Sequence, residues 1–550
     1  MPELRLVGKQ LAAVRALAEN PVSRRALWAV VSQDFHVAEL EALAASDRGR
    51  VEEVPRPIAG AAPRKGGGDL DAPAIVEGSG ASLVRAYREK KTTPREVAER
   101  LLAREDDRDF GASTYSPFVA LDREGLLAAA DESTARYESG APLGPLDGVP
   151  VPIKDEFHMR GLPTRGGTSW RSATVDEDAF IVTRLREAGA LVPGKAHATE
   201  NGMNPLGYNP NFDYPRNVYS NAHGAGGSST GSAVAVGLGM APVAVSTDGG
   251  GSIRIPATMN GLFGLKPTFN RLSGTGDIWL GTVGHAGPIG RSSRDQVDLL
   301  EVCAAREDAD PKTCFAEDWD GVHATWRDAL GRGIKGCRIG VLGSELADAD
   351  PAIARACEQT LSALEKEGAV LVDTSIPLLG MANAVGPIVI AGESAANACD
   401  DIAAHREETS DELRLVYGLM GAITAQQHLR ATRVRTRLRQ VLAAAIAGVD
   451  LLALPAHARQ AAPYPLSENR VQIADTAWTA AMTRFSFLAN LTGVPAAAIP
   501  VGMHDGLPLA LQLVGDAYDE ASVIAGCAHL ERMGVSAIPR ADSYRSLLGD

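Results

Sequence analysis

From about residue 75 onward the chain alternates short apolar runs of strand length with helix-patterned stretches, and this limits the folds open to it. Val149, Val151 and Ile153 alternate with period two and run into Lys154. Pro150 and Pro152 interrupt that run, which predicts an edge or irregular strand. Residues 176–188 form an amphipathic helical stretch closed by Gly189, after which Ala190, Leu191 and Val192 restart an extended run. Further strands are expected at residues 339–342, 369–372 and 451–454. Asp350-Pro351 opens a helix with Ile353, Cys357, Leu361 and Leu364 on one face and Gly368 beyond its end. Thr93-Pro94-Arg95-Glu96 carries the residues of a capping box. Strands alternating with helices in this way predict an α/β fold with a mixed or mostly parallel central sheet surrounded by helices. No internal repeat is visible.

The first part of the chain differs. L-A-A-V-R-A-L-A and V-A-E-L-E-A-L-A have helical spacing, so residues up to about 53 are expected to be helical. Residues 55–68 read P-R-P-I-A-G-A-A-P-R-K-G-G-G, which is linker chemistry. A boundary near residue 75 would separate an N-terminal extension and linker (1–75) from one large domain (76–550). A length of 550 residues fits one large domain with an appendage, or two to three domains.

Several function classes are disfavoured by composition. The net charge is −14 with no basic block, which makes a poor nucleic-acid binder. No run of roughly 18 apolar residues exists, so no membrane span is expected. The N-terminus lacks a basic segment followed by an apolar one, so a cytoplasmic protein without a secretory signal is expected. Six cysteines occur and none form C-x-x-C, which predicts buried free thiols rather than a disulfide frame or a zinc site.

Two loops carry the candidate chemistry: G-G-S-S-T-G-S-A at 226–233 and S-T-D-G-G-G-S-I-R-I-P-A at 246–257. Neither contains lysine, and neither Gly8-Lys9 nor Gly194-Lys195 is followed by Ser or Thr, so a phosphate-binding P-loop is excluded. Residues 227–231 match G-x-S-x-G literally, but polar, broken sequence precedes them where a nucleophile elbow needs a strand. His197 and Glu200 stand at helical spacing without further ligands, so neither a metal nor an organic cofactor is expected. A serine nucleophile remains, and serine needs a base. Lysine can serve if burial or positive neighbours keep it neutral. Lys154, after an apolar run between prolines, is a candidate. Taken alone, the segment reads as an ordinary strand end.

G-V-P-V-P-I-K-D (148–155) and the two loops occur in that order, with Ser228 and Ser252 24 residues apart. Together they resemble the amidase signature family. The resemblance extends to G-L-F-G-L-K-P-T (261–268), G-P-I-G-R-S-S-R-D (287–295), N-L-T-G-V-P-A (490–496) and G-L-P-L-A-L-Q-L-V-G (506–515), covering roughly residue 80 to the C-terminus. It implies a triad with Lys154 as base, Ser228 as bridging serine and Ser252 as nucleophile. The peptide before the bridging serine is cis in that family, which corresponds to Gly227–Ser228 here. Gly249, Gly250 and Gly251, with Ser252, would form the oxyanion hole. Asp248, Arg254 and Ser229 would support the loops, although a surface ion pair is the plainer reading of Asp248 and Arg254. The chain departs from the family pattern at Thr230, where glycine is commoner, and at Asn217-Val218, where an N-P pair is usual. The third glycine of T-D-G-G-G-S and the N-terminal extension resemble plant-type fatty acid amide hydrolases.

The resemblance implies hydrolysis of small linear amides through an acyl-enzyme, with esters as additional substrates and a homodimer among the compatible assemblies. Two alternatives share the scaffold: the glutaminase subunit of a tRNA-dependent amidotransferase, whose loop tends to be polar where Ile255 stands, and a non-catalytic binding protein. Between Ile376 and Ala480 no motif is recognisable. Its apolar runs P-I-V-I-A-G (387–392) and V-Y-G-L-M-G-A-I (416–423) are expected in core helices, with part of them lining a pocket for an apolar acyl or aryl group.

Overall fold

In the computed structural model, which describes residues 5–34, 37–43, 67–107, 115–278, 281–310, 313, 319–465, 467 and 470–549, eleven strands form one sheet. Their order across the sheet is Val370–Asp373, Arg338–Val341, Leu451–Pro455, Leu507–Val514, Ala496–His504, Phe263–Lys266, His285–Gly290, Val243–Asp248, Ile153–Lys154, Gly194–Ala196 and Phe118–Leu121. Pairing is parallel among the first three and again among the strands at 243, 153 and 194. Between these groups it is antiparallel, as it is at the Phe118–Leu121 edge. The sheet is therefore mixed, not mostly parallel. The long hairpin of Ala496–His504 and Leu507–Val514 occupies its middle, and a hairpin enforces antiparallel pairing.

Ile153–Lys154 lies between two neighbours and is not an edge strand. The prolines shorten its regular part to two residues without ending the pairing. Pro152 keeps its carbonyl, which accepts from Val245 N, and Val151 N donates to Leu191 O. Lys154 is thereby carried into the protein interior.

The helix Pro94–Asp106 has the full capping box between Thr93 and Glu96. In Pro351–Lys366, Ile353, Cys357, Leu361 and Leu364 are all buried, and Gly368 follows with φ +95°. Asp350 stands at its N-cap position but makes no side-chain cap bond. The helix expected over 176–188 is shorter, Phe180–Glu187. Leu191 makes only an isolated bridge, and the regular strand begins at Gly194.

At the N-terminus, helices Lys9–Glu19, Pro21–Asp34 and Val37–Ala42 follow a short strand, Arg5–Val7, that pairs with Ile473–Asp475. Leu11 and Ala18 pack against Leu415, and Glu19 pairs with Arg414 at 2.7 Å. The expected linker lies largely outside the described residues. Its Gly67 and Gly68 belong to a strand, Gly67–Asp69, that pairs with Arg332–Lys335.

Among the described residues no helix is long and apolar enough to cross a membrane, and no cluster of three metal-ligating side chains occurs. Cys303, Cys357 and Cys527 are buried free thiols, Cys337 is buried too, and burial pushes the Cys357 thiol up to about 12. Cys399 is exposed, contrary to expectation, because it lies on the solvent side of the helix Ala382–Ala404 beside exposed Asp400. Cys314 lies outside the described residues.

Candidate active site

Each glycine loop runs directly into a buried helix. The first leads into Thr230–Gly237, whose small residues are all buried. The Gly227–Ser228 peptide is cis. A Cβ on Gly227 would lie 2.4 Å from Asn204 O, so no other residue fits there. Ser229 donates to Thr247 O at 3.2 Å and ties this loop to the strand beneath the other. Thr230 donates to Gly226 O at 2.7 Å and accepts from Tyr214 at 2.8 Å. The residue that departs from the family pattern thus fastens its own loop.

The second loop joins strand Val243–Asp248 to helix Arg254–Met259. Its core is a buried ion pair. Arg254 contacts Asp248 through Nε at 2.9 Å and through its terminal nitrogen at 3.0 Å, and neither side chain is more than 1% exposed. The plain surface-pair reading is thereby overturned. The other Arg254 donors go to Ser486 O, Gln512 Oε1 and Asn490 Oδ1, so the guanidinium has an acceptor for each of its five N–H bonds. Burial pushes the Asp248 carboxyl up, but Arg254 and the amide of Asn490 outweigh it and hold it well below the usual carboxylate range. Asp248 also accepts from Gly251 N at 2.7 Å and Ile253 N at 3.2 Å. At Gly251 φ is +115°, and a Cβ would lie 2.6 Å from both Ile255 and Ser486. In this otherwise buried loop, Gly249 and Ser252 are partly exposed.

Asp248→Asn leaves a buried guanidinium without its counter-charge. We expect a stability loss of about 3–5 kcal/mol near neutral pH, read by chemical denaturation. The folded carboxyl is depressed, so its contribution is present above the unfolded value of about 3.9 and lost as pH falls through the folded one. The gap between wild type and variant should therefore narrow only in strong acid. A variant as stable as wild type at pH 7 would refute the supporting role.

Lys154 is fully buried. Its Nζ lies 2.7 Å from Ser228 Oγ, 2.6 Å from Thr247 Oγ1 and 3.0 Å from Glu156 Oε2. The dry, hydrogen-bonded setting expected for a basic lysine is present. The charged neighbour is a carboxylate, however, not the positive group that would help keep an amine neutral. Glu156 in turn accepts from Thr247 at 2.5 Å. The adjacent Asp155 pairs with Lys195 at 3.0 Å, which gives the Gly194-Lys195 dipeptide a structural task.

Ser228 and Ser252 line one cavity of about 60 Å³ with Glu156, Thr247, Gly249 and Asn201. Its other wall includes Met203, Val283, Ile390 and Glu393. Ile390 comes from the apolar run at 387–392, which lies in the core helix Ala382–Ala404 and also reaches this wall. Val416, from the other run, lines a separate small cavity. Glu393 accepts from Thr282 N at 2.9 Å and from its hydroxyl.

The residues missed by sequence reasoning are Glu156, Thr247, Asn490 and Gln512. All lie inside the motif segments or at their edge, K-D-E, S-T-D, N-L-T-G and L-Q-L-V, so the signal was the segments' presence and not any local spacing.

Comparison with known proteins bears on the same segments. Residues 108–524 match the family described as Amidase. The chain is 31% identical over 469 residues to a fatty acid amide hydrolase of Arabidopsis thaliana, covering 82% of this chain and 75% of that one. It is also 31% identical over 440 residues to a glutamyl-tRNA(Gln) amidotransferase subunit of Chloroflexus aurantiacus, covering 75% and 88%. The fold is similar to native peptide amidase from Stenotrophomonas maltophilia, with a TM-score of 0.73, 26% identity, and coverage of 84% and 98%. Two serine loops, a buried lysine and a matched region spanning most of the chain agree, and the protein is an amidohydrolase belonging to the amidase signature family.

Proposed function

We propose that the protein hydrolyses linear amides through an acyl-enzyme on Ser252, with Lys154 and Ser228 relaying the proton. The observation that carries this reading is the 2.7 Å contact between buried Lys154 Nζ and Ser228 Oγ, with Ser228 and Ser252 lining one cavity. As a free amine, Lys154 takes the Ser228 proton while Ser228 takes that of Ser252. The Ser252 oxygen attacks the amide carbonyl, and the new C–O bond leaves a tetrahedral oxyanion. Return of the proton through Ser228 to the leaving nitrogen breaks the C–N bond. Water then cleaves the acyl-enzyme by the same relay and releases the acid.

Gly251 N–H is committed to Asp248, so in this conformation it shapes the loop and does not face an oxyanion. The donors we assign to the oxyanion are the N–H groups of Gly249, Gly250 and Ser252. One such donor contributes about 3 kcal/mol in a transition state. No organic cofactor or metal enters this scheme. A cytoplasmic location goes with the free, mostly buried cysteines.

For the acyl group we infer an apolar or aryl preference. Met203, Val283 and Ile390 offer apolar wall, and the Glu393 carboxylate disfavours an anionic substrate. The similarity to proteins named fatty acid amide hydrolase points the same way. The amidotransferase relatives are the source of the second reading, in which glutamine is the substrate. Ile255 is 1% exposed and packs with Leu206 and Met259, so no polar group is offered at that position. The test is kcat/KM over a series of amides, with glutamine and the matching esters included. Each added acyl carbon should raise kcat/KM up to about fourfold until the cavity is full, because a buried methylene contributes about 0.8 kcal/mol. Esters should be cleaved as well. A flat series, or a preference for glutamine, would move the assignment to the amidotransferase reading.

A further inference from the structure

The lysine of this site has a neighbour that the triad does not use. Glu156 is 2% exposed, and its carboxylate lies 3.0 Å from Lys154 Nζ. Both groups also hold the same hydroxyl: Lys154 donates to Thr247 Oγ1 at 2.6 Å, and Thr247 donates to Glu156 Oε2 at 2.5 Å. Nζ thus donates to two hydroxyls, Ser228 and Thr247, and forms an ion pair with Glu156. Glu156 is itself fixed. Its backbone carbonyl accepts from Ile278 N at 3.1 Å, and a Cβ on Gly202 would come within 2.9 Å of Oε1. The absence of a side chain at Gly202 leaves the room that the carboxylate occupies.

We propose that Glu156 is a positioning residue of this amidase: with Thr247 it fixes Nζ against Ser228, and its charge weights the relay's dependence on pH. The inference rests on Lys154 acting as the base. The other charged groups around the pair are engaged elsewhere. Asp155 is paired with Lys195 at 3.0 Å and Asp248 with Arg254 at 2.9 Å. Glu393 is held by Thr282. Tyr214, which donates to Thr230 of the first loop, keeps its proton because burial raises it well above the usual range, and burial keeps His285 neutral. Glu156 is therefore the anion that acts on Nζ directly. An anion at this distance attracts the ammonium form and not the neutral amine, an attraction that Glu156→Gln removes.

The consequence has a sign that a merely structural residue would not give. With Glu156→Gln, the lower limb of kcat/KM against pH should move to lower pH by about 1–3 pH units, the range expected for one nearby opposite charge. At a fixed pH on that limb the variant's rate, taken relative to its own plateau, should exceed wild type's about tenfold for each pH unit the limb moves. Glu156→Asp guards against a folding failure of the glutamine variant. It draws the carboxylate back by one methylene, so the limb should move the same way by less. An unmoved limb in the folded variants overturns the proposal, whatever the height of the plateau above it. Lys154→Ala, assayed beside them, separates the two ideas. If it stays fully active, the lysine-base reading fails and the Glu156 role with it. If it is inactive while the glutamine limb stays in place, the role of Glu156 alone fails.

Discussion

Replacing Ser252 by alanine should lower kcat by on the order of 10⁶-fold, the loss found when a serine hydrolase is deprived of its nucleophile. The expectation follows from the loop. Ser252 ends a run of three glycines, is partly exposed where its surroundings are buried, and lines the cavity that Ser228 also lines. Steady-state assays should be paired with mass spectrometry after treatment with a fluorophosphonate. Wild type should carry the label on the peptide containing Ser252, and the variant should not be labelled. Labelling of the variant at a neighbouring serine at a normal rate would refute the assignment. Failure of the wild type to react at all would favour a binding protein on the same scaffold.

Lys154→Ala should lose activity by about 10⁴-fold, the upper range for removal of a general base. Lys154→Arg should not restore it, because a guanidinium does not give up its proton in a protein. Removing the lysine strands the Glu156 carboxylate in a dry site, and breaking a buried pair costs about 3–5 kcal/mol. The single variant must therefore be shown to be folded. The double variant Lys154→Ala with Glu156→Gln removes the stranded charge. It should be more stable than the single variant and just as inactive. Recovery of activity in the double variant, or a histidine-like inflection that survives in Lys154→Ala, would rule out lysine as the base.

Local features were legible in the sequence where the physics is local. The capping box at Thr93 and Glu96 needs only residues three apart, and it is present. The buried stripe of Pro351–Lys366 needs only helical periodicity, and all four named residues are buried. The Lys154 segment was harder. Its prolines suggested an edge or irregular strand, but a proline carbonyl still accepts, and neighbours bond the segment on both sides. The join between Ala496–His504 and Phe263–Lys266 in the middle of the sheet was likewise hidden, because strands so far apart in sequence leave no local pattern.

The site divides in the same way. The ordered segments, through their resemblance to the amidase signature family, marked which residues carry chemistry: Lys154, Ser228 and Ser252, with Asp248 and Arg254 flanking the second loop. How those groups are held emerged with the folded chain. Asn490 reaches Asp248 across 242 residues of chain, and Gln512 reaches Arg254 across 258. Folding also turned the Gly251 N–H toward Asp248 and set a carboxylate, not a cation, beside Lys154. A segment's residues record what it can do. A charge or donor acts through space over a few ångströms, and which groups come within that range is set by the packing of distant segments.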